Sequence, residues 1–434
     1  MTNVARKLVW CAVPVVGILA FSAAHAAAEP RAPEPSLPAT GKPVAGMEAY
    51  DQLADDLLAK WKIPGCAIAV ARQGKLVFAR GYGYADLAAK RVVEPDSLFR
   101  IASISKPVTA VAVLRLVELG KLKLDDRVTE LLANLKPQAE PKLDARWTRI
   151  TVRHLLEHSG GWDRDKSFDP MFRPGEIAKS LGAPAPADTA AVIRYMFSKP
   201  LDFDPGQRFA YSNFGYALLG RIIERRTGKS YADAVQELVL LSAGITRMRL
   251  GRTLTGFRAA SEVAYCHCNA EKAEPVFPYV KGPVEWPDGG FHLEAMDAHG
   301  GWIASAIDLV RFASAVDGRC GRPILATPSI RQMLARPELA EPKKQKNAPA
   351  GSYYACGWFV HPVGDDANWW HTGSLPGTTT LLVRAHNGLC WAILFNSRPN
   401  DQLKFKAEFD AGMWKAAGSV EKWPEHELFQ RQPY

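Results

Sequence analysis

No stretch of this 434-residue sequence looks able to cross a bilayer. The most membrane-like one, Leu8 to Phe21, has 14 residues interrupted by Pro14, short of the roughly 20 a span requires. With Arg6 and Lys7 before it and small residues at Ala24-His25-Ala26 after it, residues 1–26 fit a signal peptide cleaved after Ala26. That places the mature protein in the periplasm or outside the cell, with no stable membrane span. Cys11 follows Val9-Trp10 rather than small residues, unlike a cysteine that carries a lipid. A run of like charges is missing too. The formal charge is +9, and removing residues 1–26 takes two basic and no acidic residues, leaving a dispersed surplus of seven. Without a basic stripe or interleaved aromatics, that surplus favours solubility and excludes nucleic acid as the expected partner. Internal repeats are absent. Cysteine is scarce: Cys66, Cys266, Cys268, Cys320, Cys356 and Cys390 remain after Ala26, an even number that suits an oxidising compartment. Spacing does not fix their pairing or the oligomeric state, and the apolar runs around Cys66, Cys356 and Cys390 suit buried thiols equally well. Cys266-His267-Cys268 lacks a second pair at ligand spacing, so neither a metal nor another cofactor is expected.

What is present is 47% hydrophobic and 23% charged, the balance of a globular chain able to bury more than one core layer. Residues 27–44, with five prolines, read as a stiff tether. A helix pattern follows, with Tyr50, Leu53, Leu57 and Trp61 on one face, and then two β-like runs broken at Gln73-Gly74. Helix signals and Pro-rich loops fill the middle, including a long loop from Asp163 suited to a lid or wall. Strand character returns near the end, where Asn387-Gly388 marks a hairpin. The economical architecture is an α/β (α+β) domain over 45–434. Its antiparallel sheet comes from both chain ends, about 45–102 and 297–434, and is flanked by helices, with a mostly helical region, about 103–296, inserted between them.

The stretch "ASISKPVTAVAVL", residues 102–114, sets Ser103 and Lys106 three apart at the mouth of a helix that is apolar nearly all round and therefore buried. Pro107 fits only in a first turn, so the helix begins near Ser103. A free lysine, at about 10.4, must fall by about 3 units to act as a base near neutrality. A helix terminus supplies only about 0.3–1 kcal/mol of that, so burial or neighbouring cations must supply the rest. A neutral Lys106 could take the Ser103 proton, and helix N–H groups could steady an oxyanion. An N-cap serine beside a snorkelling lysine is the plain alternative. The motif alone is weak, since Ser419-Val420-Glu421-Lys422 repeats it with no chemistry following.

Company separates the two. Tyr211-Ser212-Asn213 lies 108 residues after Ser103, and His371-Thr372-Gly373 a further 160 on, at the start of the β-rich ending. Ser103-x-x-Lys106, Tyr211-x-Asn213 and His371-Thr372-Gly373, in that order, resemble the penicillin-recognising serine hydrolases: class C β-lactamases, DD-peptidases, D-aminopeptidases and related esterases. "LLEHSGGW" at 155–162 and "GGWIASAIDLVRF" at 300–312 extend the resemblance to roughly residues 45–400. It implies a β-lactamase/transpeptidase-like fold and an acyl-enzyme route with Ser103 as nucleophile. Lys106 and Tyr211 would share the proton transfers, either one being the main base. Asn213 would orient Lys106 or the substrate amide, and His371, Thr372 and Gly373 would line the substrate. The oxyanion would sit between the backbone N–H groups of Ser103 and Ser374. Substrates would be D-amino-acid peptides, peptidoglycan-derived ones among them, β-lactams or small esters.

His371 stands where class C β-lactamases usually carry lysine. A histidine titrating near neutrality would attract a substrate carboxylate only weakly and in a pH-dependent way, which argues against an efficient β-lactamase. Phe168, Met171, Trp286 and Phe291 are the expected walls. Two rival readings stand beside this one. "HLLEH" at 154–158 matches an inverted zinc-protease pattern, with His154 and His158 one turn apart and Glu157 nearby, but without an evident third ligand. A non-catalytic penicillin-binding or sensing module could use the same fold, although such a module would be expected to have lost its nucleophile.

Overall fold

The structure is a computed structural model that describes residues 37–135, 143–267, 272–318, 323–342 and 349–429. The expected signal peptide, the first part of the tether, Cys268 and Cys320 lie outside the described residues. Among those described, no helix is long and apolar enough to cross a membrane.

Nine strands from opposite ends of the chain build the central sheet. In chain order its strands are β1 (Ala39–Thr40), β2 (Gly65–Arg72), β3 (Lys75–Asp86), β4 (Arg91–Val92), β5 (Tyr353–Tyr354), β6 (Phe359–Val363), β7 (Asp366–Leu375), β8 (Thr378–Arg384) and β9 (Leu389–Phe395). Their spatial order is β1-β3-β2-β9-β8-β7-β6-β5, with β4 on β3, and every pairing is antiparallel. The two chain ends meet at β2 and β9, where Ile68 faces Ile393. The β2–β3 connection is the expected two-residue turn, with Gln73 and Gly74 both at positive φ, 49° and 77°. At the other hairpin the turn widens to residues 385–388, and only Gly388 takes positive φ.

Side-chain alternation decides what covers each face. Cys66, Ile68 and Val70 of β2, with Trp391, Ile393 and Phe395 of β9, pack against Tyr50 and Leu57 of helix α1 (Glu48–Trp61) and against Phe405 and Phe409 of the C-terminal helix. The opposite face presents Ala67, Ala69 and Ala71, so small that the helix Ala306–Val316 lies close over β2 and β9. Each Ile or Phe buried in these layers contributes roughly 1.5–3 kcal/mol. The helical region, built on helix α2 (Ser105–Glu118), packs beyond that face and shares its core.

Two expectations need correction. The tether expected over 27–44 gives way to docked chain at Leu37. Ala39–Thr40 pair with Gly81–Tyr82, Thr40 Oγ1 donates to Val93 O at 2.5 Å, and Leu37 and Val44 pack against the outer core. Prolines are tolerated there because this is a sheet edge. The long Pro-rich loop from Asp163 contains a helix, α3 (Pro174–Leu181), opened by Pro174 in its first turn and closed by Gly182 at φ 60°.

Candidate active site

The chain reaches Ser103 under restraint from the sheet. Thr378 Oγ1 and Thr380 Oγ1 of β8 donate to the carbonyls of Arg100 and Ile101 at 2.9 and 3.1 Å. Ile101 N donates to Trp302 O at 3.0 Å. Ala102 is then forced to φ 48°, a conformation non-glycine residues seldom adopt, and a 3-10 turn, Ala102–Ile104, leads into α2. Ser103 stays partly accessible, whereas Lys106, one turn on, is fully buried. Pro107 sits in the first turn, where no intrahelical donor is lost. β7 passes beside the Ser103 turn because residue 373 is glycine: a Cβ there would overlap the Ile101 carbonyl and Thr380 Oγ1.

Lys106 Nζ lies 2.8 Å from Asn213 Oδ1, 2.9 Å from His299 O and 3.2 Å from Ser103 Oγ. The amide and peptide oxygens can only accept. An uncharged amine has two N–H groups for them and one lone pair left, which then faces the Ser103 hydroxyl. Burial, with Arg164 adding to it, drives the Lys106 pKa well below its usual value, and Asp169 opposes the shift.

Ser212, not Asn213, caps the following helix, α4 (Asn213–Thr227), by accepting from Gly215 N at 3.2 Å. Asn213 is thereby free to turn inward. Its Nδ2 donates to Asp169 Oδ2 at 2.6 Å, which leaves its Oδ1 for Lys106. The Lys106 ammonium position lies 4.8 Å from the Tyr211 ring centroid. Burial raises the Tyr211 pKa above the ordinary phenol value, and contact with the Ser103 side chain pulls it back.

His371, Thr372, Gly373 and Ser374 alternate along β7. His371 and Gly373 face inward, while Thr372 and Ser374 remain partly exposed. His371 and Tyr211 have ring centroids 6.5 Å apart, so they share one pocket. The expectation that His371 titrates near neutrality is overturned. It is buried, its pKa falls to about 3 through burial and the nearby Lys106, and both ring nitrogens are engaged. Tyr354 Oη sits 3.1 Å from Nε2, and Nδ1 lies 2.7 Å from the Thr372 carbonyl. With Nδ1–H donating to that carbonyl, Nε2 accepts from the tyrosine.

Several residues at the site went unforeseen. Asp169 carries an ordinary turn signal, the Asp-Pro of a short 3-10 helix, and its Oδ1 caps Met171 N at 3.1 Å. Nothing local announces that its other oxygen orients Asn213. His299 contributes a backbone carbonyl, which no side-chain pattern reveals. Arg164 stacks over the Tyr211 ring at 4.7 Å. Among the expected walls, Phe291 and Trp286 pack with Ala102 and Leu375 beneath the site, while Met171 is buried in the helical core. Ser419, from the second SxxK, only caps the C-terminal helix, donating to Ala416 O at 2.9 Å.

The zinc reading fails on geometry. The helix carrying His154, Val152–Leu156, stops before His158, which sits at φ 56°, so the two imidazoles do not stack on one helical face. His154 Nδ1 accepts from Thr151 N, and His158 Nδ1 accepts from Ser212 N, both at 3.2 Å. His158 packs its ring 4.3 Å from Tyr211 and 4.5 Å from Tyr354, as part of the wall beside Lys106.

Comparisons with known proteins bear on the family and the fold. A family model described as Beta-lactamase matches residues 50–412. Penicillin-binding protein 4* of Bacillus subtilis is 26% identical over 388 residues, 88% of this chain and 76% of that protein. Esterase EstB of Burkholderia gladioli is 34% identical over 200 residues, 45% of this chain, and the match spans only 49% of the esterase. Among solved structures, D-amino acid amidase from Ochrobactrum anthropi SV3 aligns with a TM-score of 0.66 at 23% identity, covering 87% of this chain and all of that one. An octameric penicillin-binding protein homologue from Pyrococcus abyssi aligns with a TM-score of 0.65 at 24% identity, over 88% of this chain and 80% of that one.

Proposed function

The chain belongs to the beta-lactamase family and is a serine hydrolase, and from that premise we propose that it cleaves small amides or esters through an acyl-Ser103 intermediate. The observation that carries this reading is the buried Lys106 amine, held between two acceptor oxygens and the Ser103 hydroxyl. Lys106 takes the serine proton as Ser103 Oγ attacks the carbonyl carbon. Tyr211, whose raised pKa makes a phenolate costly at neutral pH, starts protonated, and it passes its proton to the leaving atom as it takes one from the Lys106 ammonium. That division makes Lys106 the main base. The carbonyl oxygen is received between the backbone N–H groups of Ser103 and Ser374, one from the nucleophile turn and one from the strand packed beside it. Water then attacks the acyl-enzyme by the same route in reverse.

D-amino-acid amides and peptides, β-lactams and simple esters all suit this machinery. An uncharged, buried His371 offers no fixed cation to a β-lactam carboxylate, so D-amino-acid amides and esters are the better substrates in this reading. Export follows from the character of residues 1–26. It is checked by N-terminal sequencing of protein recovered outside the cytoplasm, where a start at Ala27 is expected.

The deciding experiment is a turnover panel of D-alanyl peptides, D-amino-acid amides, nitrocefin and p-nitrophenyl esters, with a Ser103→Ala control. Ser103→Ala should lower turnover by roughly 10⁴-fold or more and abolish labelling by a fluorophosphonate. Near-normal turnover in that variant would refute the acyl-serine route. An unlabelled wild type that turns over nothing would favour a binding module.

A further inference from the structure

His158, released from the zinc reading, occupies a place that local preference does not explain. It follows the helix Val152–Leu156 in the left-handed conformation, at φ 56°, with Ser159 N donating to His154 O at 2.8 Å. Glycine or asparagine is usual at such a helix end. An imidazole there, buried to 1% exposure, needs contacts that offset its desolvation.

Those contacts converge on Tyr211. Ala210 N donates to the His158 carbonyl at 2.8 Å, and Ser212 N donates to His158 Nδ1 at 3.2 Å. One residue thus grips the chain immediately before and immediately after the phenol. Between the two bonds the His158 ring lies against the Tyr211 ring, with centroids 4.3 Å apart and planes at 41°. A backbone N–H can only donate, so in the neutral ring Nδ1 carries the lone pair and Nε2 the proton. Tyr354, Tyr216 and Phe209 complete the enclosure at 4.5, 5.1 and 5.8 Å, and among the described residues no nitrogen or oxygen accepts from Nε2. The imidazole is therefore oriented by Nδ1 and by ring packing alone. Its turn is anchored in the same place, since Tyr216 Oη of α4 donates to Leu156 O at 2.9 Å.

Tyr211 lies outside any helix or strand, so no ladder of its own fixes it. A group that passes a proton in the transition state needs such fixing, because a misplacement of about 1 Å can cost about 10²-fold. We propose that His158 is a positioning residue for Tyr211, holding its two chain neighbours through the carbonyl and Nδ1 and its ring through packing, so that the hydroxyl stays aimed along the route from Lys106 to the leaving atom. This rests on the acyl-Ser103 reading, with Tyr211 as the group that protonates the leaving atom. His158 acts only through Tyr211, and two consequences separate it from a residue that merely packs. Its loss matters for leaving groups that need a proton and hardly for those that depart as stable anions. Once the Tyr211 hydroxyl is gone, its loss has nothing left to act through.

The test compares ethyl butyrate with p-nitrophenyl butyrate, which share an acyl half; ethoxide needs a proton to leave and p-nitrophenolate does not. In both cases kcat/KM reads acylation, followed by pH-stat and by absorbance. His158→Leu fills the space of the ring without an acceptor. It should lower kcat/KM by about 10- to 100-fold for ethyl butyrate and by less than about 3-fold for p-nitrophenyl butyrate. His158→Gly suits the left-handed backbone and takes over the comparison should the leucine variant not fold. His158→Asn tolerates the same backbone and returns an acceptor near the Nδ1 position, so it should recover part of the loss on the ethyl ester. In a Tyr211→Phe background the same His158 substitution should change ethyl butyrate turnover by less than about 2-fold. Equal or absent losses on the two esters, an asparagine variant no better than leucine or glycine, or a full further loss in the Tyr211→Phe background overturns the proposal. Tyr211→Phe that by itself spares ethyl butyrate overturns the proton route instead, and ester turnover that survives in Ser103→Ala overturns the acyl-serine reading; both are seen without any His158 variant.

Discussion

Replacing Lys106 with methionine tests the protonation state on which the chemistry depends. The side chain keeps its length and loses its nitrogen, so turnover of a neutral ester should drop by about 10²- to 10⁴-fold, the usual worth of a positioned base. Stability is the sharper readout. Holding the amine uncharged costs about 1.4 kcal/mol for each pH unit between the working pH and the 10.5 of the unfolded chain, or about 5 kcal/mol at pH 7. Methionine removes that cost but strands Asn213 Oδ1 and His299 O, at about 1–3 kcal/mol each. The two effects nearly cancel at neutrality, so a single melting temperature decides nothing.

The dependence on pH does decide. The Lys106 pKa is lowered by folding, so from that lowered value up to 10.5 the unfolded chain binds a proton that the folded chain does not, and wild-type stability rises with pH through the window. The variant lacks this contribution. Urea unfolding of both proteins at about pH 8 and about pH 9.5 should show the wild type gaining about 2 kcal/mol relative to Lys106→Met across the interval. If the difference between the two proteins stays constant, the folded state holds an ammonium ion, and the assignment of Lys106 as base fails with it.

Tyr211→Phe keeps the ring packed against His158 and removes only the hydroxyl. It should cost roughly 10²- to 10⁴-fold in kcat with little change in melting temperature, and burst kinetics will show whether acylation or deacylation slows. Asp169→Asn can offer an N–H where the carboxylate accepted, so Asn213 loses its fixed orientation. A fall of about 10- to 100-fold in kcat with a shifted pH–rate profile is expected, and Asp169→Glu should recover part of it. Gly373→Ala forces β7 away from the Ile101 carbonyl and should destabilise the fold by about 1–3 kcal/mol while impairing turnover, measured by unfolding and by the ester assay together.

Much of this architecture was legible in local chemistry. Gln73-Gly74 and Asn387-Gly388 announced both hairpins, and strand character at both chain ends announced the antiparallel sheet they share. The order of Ser103, Lys106, Tyr211, Asn213 and His371 announced the pocket through the family it resembles; the first two motifs sit where a helix begins and the third within β7. What stayed hidden depends on contacts across the chain. Asp169 reaches Asn213 over 44 residues and His299 reaches Lys106 over 193, with no periodicity to mark either. Burial misled in one place. His371 was expected to titrate as an ordinary imidazole, whereas in space it is buried among Tyr354, Tyr211 and Phe359. Pro-rich composition misled in another, hiding a docked edge strand at Ala39–Thr40 and the helix Pro174–Leu181.

The surroundings of Lys106 explain how one lysine can both take and return a proton. His158, His299 and His371 are all held neutral by burial, and a charge on Lys106 would disfavour protonating them further. The pocket thus disfavours a cation on any of four nitrogen-bearing side chains. A lysine in such a place would be a poor base if its proton stayed, because protonating it restores the charge that the fold excludes. During attack, however, a negative charge grows on the carbonyl oxygen a few ångströms away, and in a dry site that charge stabilises the new ammonium far more than water would. Once the tetrahedral species collapses, the anion is gone and the ammonium is again disfavoured. The proton is then driven on, through Tyr211, to the departing atom. The same burial that frees the lone pair at the start therefore pushes the proton out at the end.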